Sequence, residues 1–285
     1  MTLHAASVSF SYGAHEVLRD LDCELAEGRI TAIVGANASG KSTLLRAMAR
    51  LIEPQSGSVL LDGTAIAKLP TREVARRVGF LPQSPVAPEG LTVGDLVARG
   101  RYPHQRLGRP QSAHDRERIA WALSSTDTTA LRERPLDQLS GGQRQRVWIA
   151  MVLAQDTDVL LLDEPTTYLD LAHQLEVLDL LAELNERDGR TIALVLHDLN
   201  QACRYAHELV AMRDGAVYAA GRPAEIVDAT LVADVLNLRA EVIEDPVSGA
   251  PLCIPLDRGA RSAVAAAEPA AAPTPRPAVR ATSSS

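Results

Sequence analysis

The sequence predicts an α/β protein with a mostly parallel sheet, an antiparallel β unit at its N-terminus and an inserted α-helical subdomain. Three observations carry this expectation. Short apolar runs at Arg29–Val34, Val159–Leu162 and Thr191–Leu196 alternate with helical patterns, as in a parallel sheet covered on both faces. The first of these runs opens directly into a glycine-rich loop. From Ser84 to about Gln138 the texture changes to loops and helices, with prolines at 85, 88, 103 and 110.

Taken in order, Thr2–Phe10 alternates and reaches a turn at Tyr12–Gly13, the pattern of an edge strand. Ser42–Leu51 has helical spacing, and Ser58–Asp62 and Val78–Pro82 read as strands. A helix opens after Ser140, a buried strand spans Val159–Leu162, a helix covers roughly Ala172–Arg187, and a strand covers Thr191–Leu196. Residues 224–238 read as helical, and Glu241–Pro255 as a hairpin around Ser248–Gly249. Past Gly259 the composition collapses: of residues 260–285, ten are Ala, four Pro and four Ser. Such a segment cannot bury enough apolar surface to offset its ordering entropy. The expected organisation is one unit over 1–258, with its helical subdomain at about 84–150 and an accessory segment at about 224–258. A disordered tail over 259–285 follows, and deleting residues 260–285 is expected to leave activity unchanged.

The 285 residues carry 29 Lys+Arg against 36 Asp+Glu, a net charge of -7, which argues against sequence-independent nucleic-acid binding. The tail holds +2 of that balance (three arginines, one glutamate), leaving the rest at -9. Only Lys41 and Lys68 are lysines, so the position of each is informative. No stretch approaches the 18 apolar residues of a membrane span, and Met1–Phe10 lacks a signal-peptide pattern. Cys23, Cys203 and Cys253 have no metal-binding spacing and read as buried thiols of a reducing compartment. The expectation is a cytoplasmic protein, or one held on a membrane only by a partner.

Gly35, Ala36, Asn37, Ala38, Ser39, Gly40, Lys41 and Ser42 satisfy GxxxxGK[ST] between an apolar strand and a helix. Such a match arises by chance roughly once in ten thousand starts, so the α/β core reads as a P-loop NTPase core. The two glycines let successive N–H groups face one anion, and the following helix adds its positive end. Lys41 would reach the β- and γ-phosphates and the Ser42 hydroxyl would coordinate Mg²⁺.

The run Val159–Leu162 ends in Asp163 and Glu164, which a parallel sheet brings beside the phosphate loop. Successive strand residues point opposite ways, so the two acids take different tasks. Asp163 would support Mg²⁺ through water, and Glu164 would polarise the attacking water as general base. His197, ending the next strand, emerges on the same edge, where a γ-phosphate contact is expected. Gln83 follows Val78–Pro82 and can place its amide oxygen on Mg²⁺ or the water. Leu139, Ser140, Gly141, Gly142 and Gln143 open a further helix, Ser140 as its cap, and form a second anion site that implies a second partner.

With these motifs in place, the sequence resembles the ATP-binding cassette family over roughly residues 2–245. The resemblance implies that Tyr12 stacks on adenine, that Gly35 to Thr43 form Walker A, and that Gln83 is the Q-loop residue. Leu139 to Gln143 correspond to the signature, Leu160 to Glu164 to Walker B, Asp170 to the D-loop aspartate and His197 to the switch histidine. It further implies a head-to-tail dimer with two ATP molecules, each between Walker A of one copy and the signature of the other. Arg99–His104, Leu196–Ala206 and Asp245–Pro251 resemble the ATPases of iron–siderophore importers, with haem and cobalamin importers as alternatives. A non-transport cassette protein, such as a cluster-assembly scaffold, is a further alternative. A DNA-maintenance role is disfavoured because no heptads occupy the 97 residues between Lys41 and Leu139. The implied partners are an integral-membrane permease and, indirectly, a substrate-binding protein, with the chain peripheral on the cytoplasmic face of the inner membrane. Residues 99–118 hold six arginines against two acids, expected to be a solvated face or a permease docking site.

Overall fold

The computed structural model describes residues 1–105, 110–167 and 169–257. The predicted disorder of 259–285, and Arg106 and Arg109 of the arginine-rich stretch, lie outside the described residues. The chain opens with β1 (Leu3–Tyr12) and β2 (His15–Leu25), an antiparallel pair in register Leu3↔Leu25 and Tyr12↔His15. There follow β3 (Ile30–Gly35), α1 (Lys41–Met48), β4 (Ser56–Leu61), β5 (Thr64–Ala65), α2 (Thr71–Arg77) and β6 (Val78–Leu81). Three helices come next: α3 (Val93–Arg99), α4 (Ala113–Ser125) and α5 (Gly141–Ala154). The central part closes with β7 (Val159–Leu162), α6 (Leu171–Asp188), β8 (Thr191–Val195) and α7 (Leu199–Tyr205). Finally come β9 (Glu208–Arg213), β10 (Ala216–Gly221), α8 (Pro223–Ile226), α9 (Ala229–Leu236) and the hairpin β11 (Ala240–Glu244) with β12 (Pro251–Pro255).

The main sheet has the order β10-β9-β3-β8-β7-β6, parallel except for the antiparallel β9–β10 pair. Its inner strands are buried on both faces, so neighbouring residues enter different cores. Ile30, Ala32, Val34, Leu160 and Leu162 pack with the helices α3 to α6, whereas Ile33, Val159 and Leu161 pack with α1 and the antiparallel sheet. This explains why β3, β7 and β8 read as continuous apolar runs.

Three expectations change. β1 is not an edge strand: the second sheet is β2-β1-β4-β5, and β1 bonds β2 on one side and β4 on the other. An antiparallel sheet solvated on one face gives the same alternation at its centre and at its edge. The single helix foreseen over 224–238 is two, α8 and α9, separated where Asp228 turns to cap α9 through a 2.7 Å bond from Leu231 N–H. The arginine-rich face also loses a member, because Arg101 is buried, 1% exposed, with its Nε donating to Asp115 at 2.9 Å and a terminal nitrogen donating to the Ala154 carbonyl at 2.8 Å.

Candidate nucleotide site

The sheet order sets the site. The C-terminal ends of β3, β8, β7 and β6 lie side by side, and from them emerge the glycine-rich loop, His197, Asp163–Glu164 and Gln83 respectively. The loop depends on two glycines. A Cβ on Gly35 would come within 2.3 Å of the Met212 carbonyl oxygen, and Gly40 holds φ +99° just before α1. Lys41 is 5% exposed, and its Nζ donates to the carbonyls of Gly35 and Ala36 at 2.9 Å each, two of the three donors an ammonium carries. Burial pulls its pKa below the ordinary lysine value, against the opposing pull of Glu164 and Asp163. Asn37, Ala38 and Ser39 complete the turn, with Ser39 N–H bonding back to Ala36 at 3.2 Å, and Ser42 and Thr43 begin α1. The first amides of a helix have no intrahelical partner, so this end presents N–H groups to an anion.

Asp163 is fully buried. Ser42 Oγ donates to its Oδ1 at 2.7 Å, while its Oδ2 is buried without a hydrogen-bond partner. Burial pushes its carboxyl above the usual aspartate range, ahead of the lowering by Ser42 and Arg46. An orphaned carboxylate oxygen beside a serine hydroxyl is the hard oxygen donor set that Mg²⁺ takes, so these residues fit that ion. A bound cation would supply Lewis-acid neutralisation of phosphate charge here.

Glu164 differs in every respect. It sits at φ +54°, a left-handed turn that a non-glycine residue rarely adopts, so the chain reverses immediately after the strand. Gln83 Nε2 donates to its Oε2 at 2.5 Å, Thr167 Oγ1 donates to the same oxygen at 3.0 Å, and His197 Nε2 lies 2.7 Å from Oε1. Burial alone would raise its pKa, but the bonds from His197, Thr167 and Gln83 prevail and hold it below the usual glutamate range. The side chain is therefore ionised at neutral pH and aimed by three partners. Gln83 reaches Glu164 through its amide nitrogen, and His197 lies on Glu164 itself. Sequence reasoning missed Thr167; the signal it offers is a hydroxyl three residues after the second acid, within reach once the chain turns at Glu164.

The remaining candidates stand apart from this cluster. Ser140 caps α5 in a capping box with Gln143: the Gln143 N–H donates to Ser140 Oγ at 3.3 Å and the Ser140 N–H to Gln143 Oε1 at 3.2 Å. This leaves the first amides of α5, at Gly141 and Gly142, without an intrahelical partner. Among the described residues, no hydrogen bond or ion pair joins Ser140–Gln143 to the loop at Gly35–Thr43. Tyr12 is 49% exposed, its ring in a T-shaped pair with Phe10 with centroids 4.9 Å apart. Asp170 is exposed and caps α6, accepting from the His173 N–H at 3.0 Å.

Comparison with known proteins agrees with this geometry. Residues 18–167, more than half the chain, match the ABC transporter family. The petrobactin import ATP-binding protein FpuD of Bacillus anthracis is 52% identical over 91% of this chain and 95% of its own length. The ferric enterobactin transport ATP-binding protein FepC of Escherichia coli (strain K12) is 51% identical over 91% of this chain and 96% of its own. The hemin import ATP-binding protein HmuV of Myxococcus xanthus (strain DK1622) is 42% identical over 90% and 98%. Among solved structures, an inward-facing ABC transporter superposes with a TM-score of 0.78 at 28% identity, covering 91% of this chain and 99% of the other. A dimeric ATP-binding cassette bound to ADP and Pi gives 0.67 at 28% identity, over 77% and 98%. The family match over residues 18–167 and the relatives above 50% identity over nine-tenths of the chain show that the chain belongs to the ABC transporter family.

Proposed function

We propose that the chain is the ATP-hydrolysing subunit of an importer for Fe(III)–siderophore complexes. It acts as a head-to-tail pair of copies beneath a membrane permease, on the cytoplasmic face, with a substrate-binding protein delivering the cargo. The observation that carries the hydrolytic part is Glu164, a carboxylate kept ionised and aimed by Gln83, Thr167 and His197 at the edge of the sheet that bears Lys41. In this reading Lys41 and the loop amides bind the ATP phosphates, Ser42 and Asp163 hold Mg²⁺, and Glu164 takes the proton from the attacking water. Tyr12 offers its exposed ring to adenine. Ser140 to Gln143 bind the nucleotide held by the partner copy, and Asp170 lies at the junction between copies. The separation of Ser140–Gln143 from the chain's own loop supports this assignment, since the second anion turn needs a nucleotide from elsewhere. For the cargo, the support is that relatives above 50% identity are named for petrobactin and ferric enterobactin, while the hemin relative stands at 42%.

Two measurements test the proposal. The purified chain should hydrolyse Mg–ATP, and Glu164→Gln should lower kcat by roughly 10²–10⁴-fold, the range of general-base catalysis, while keeping ATP affinity. Near-normal turnover in that variant would remove Glu164 from the mechanism. A deletion strain under iron limitation, supplied in turn with ferric siderophores, hemin and cobalamin, should lose growth on a siderophore alone; loss confined to hemin or cobalamin would overturn the cargo assignment.

A further inference from the structure

The segment following Glu164 is fastened to the Ser140–Gln143 turn by side chains that the nucleotide chemistry leaves unused. His173, in the first turn of α6, lies between the two. Its Nδ1 is 2.6 Å from Asp170 Oδ1, the carboxylate that also caps its own N–H at 3.0 Å. The other side of the ring lies on Gly142: a Cβ built there would come within 3.3 Å of His173 Cδ2 and 3.5 Å of Cγ. A side chain at position 142 would therefore meet the imidazole at or just inside van der Waals distance. Neighbouring contacts reinforce the joint. Gln145 Nε2 donates to the Pro165 carbonyl at 2.7 Å, one residue past Glu164, and Arg146 reaches Glu176 at 3.4 Å. Gln174 donates to the Leu169 carbonyl at 3.1 Å and accepts from Gln201 of α7 at 2.8 Å, whose helix starts two residues after His197.

We propose that His173 is a positioning residue that locks the Ser140–Gln143 turn to the segment carrying Glu164 and Asp170. The proposal rests on the head-to-tail reading above. In that arrangement the turn serves the partner's nucleotide while Glu164 serves the chain's own, so His173 bridges two nucleotide sites within a single polypeptide. Coupling of this kind needs a contiguous element that both sites bias, and the Gly142–His173–Asp170 contact is one. Histidine suits the task because its Nδ1 can donate to the Asp170 carboxylate while the remaining ring carbons pack. Asparagine can reproduce the first contact and phenylalanine the second, but neither reproduces both.

The test uses the full chain carrying Glu164→Gln, in which ATP-driven dimers accumulate and are quantified by sedimentation velocity. His173→Ala should weaken dimerisation about 5- to 10-fold, at the low end of measured couplings between sites, with ATP affinity of the monomer unchanged by calorimetry. In the otherwise native chain it should lower kcat by a similar factor and move KM by less than about twofold. His173→Asn and His173→Phe should both remain impaired. Wild-type dimerisation in the Asn variant would overturn the proposal, since the side-chain contact with Asp170 would then be the whole role, as would unchanged dimerisation in all three. Should His173→Ala fail to fold, the Asn variant, whose side chain can still reach Asp170, carries the comparison. Should Glu164→Gln bind ATP yet remain monomeric, the head-to-tail reading itself fails and the His173 proposal with it, an outcome distinct from dimers that ignore His173.

Discussion

Asp163 and Glu164 are adjacent, yet their surroundings move their carboxyl groups in opposite directions. Burial dominates at Asp163, so its folded pKa lies above the unfolded value. A carboxyl of that kind contributes stability below its unfolded pKa and loses it as pH rises through the folded one, so at neutral pH the half-partnered Asp163 burdens the chain. Asp163→Asn should therefore raise the melting temperature of the nucleotide-free protein at pH 7, by about 2–4 °C if ~1 kcal/mol is recovered. The gain should shrink in acid, and the variant should lose any Mg²⁺-dependent stabilisation. Glu164 has the reverse sign: its folded pKa is depressed by His197, Thr167 and Gln83 acting against burial, so its contribution is present above the unfolded pKa and vanishes as pH falls through the folded one. Glu164→Gln should lower the neutral-pH melting temperature, with the difference from wild type closing in acid. Melting curves of both variants across pH 4 to 8 check this; shifts of the same sign would contradict the assignment of one buried metal-fitting acid and one aimed base.

The element that departs most from its sequence reading is the turn after α3. Arg99–His104 reads as part of an arginine-rich docking face, but the structure turns Arg101 and His104 inward. Arg101 pairs with Asp115 and the Ala154 carbonyl, and His104 Nε2 lies 2.7 Å from the Gln155 carbonyl oxygen. Gly100 is needed because a Cβ there would come within 2.1 Å of the Met151 carbonyl oxygen. Only Tyr102, 60% exposed, offers a large side chain outward. Removing one partner of a buried ion pair strands the other, so Arg101→Ala should cost about 3–5 kcal/mol, read from the denaturant midpoint. Tyr102→Ala should stay within about 0.5 kcal/mol of wild type. The reverse ranking would return Arg101 to the surface. The phosphate loop and the acid pair were legible by position, because a phosphate loop must be glycine-rich and must follow a strand. Tertiary placement was not: nothing in the pattern around Arg101 distinguishes a buried guanidinium from a solvated one. β9, β10 and α7 were passed over because they are short elements whose place depends on neighbours distant in sequence, such as β3 beside β9.

At the scale of the whole molecule, residues as far apart as Gln83 and His197 converge on Glu164 because β8 inserts between β3 and β7, and one sheet edge thereby gathers loops from distant parts of the chain. The two cores on either side of that sheet share the same strands, with alternate residues of β3 and β7 committed to each. A ligand on the edge should thus stabilise both cores together rather than one loop. Mass action gives about 2.7 kcal/mol when free ligand stands at 100 times its Kd. For a chain of this length that corresponds to an upward melting shift of roughly 5–10 °C with Mg–ATP in a single transition. The shift should disappear in Lys41→Ala, because the phosphates lose their only lysine, and should be reduced when Mg²⁺ is withdrawn and Asp163 Oδ2 is again without a partner. Differential scanning calorimetry with and without Mg–ATP makes the comparison. A ligand shift confined to one of two separate transitions would mean that the strands shared between the cores do not transmit the binding energy, and an undiminished shift in Lys41→Ala would mean that the nucleotide sits elsewhere.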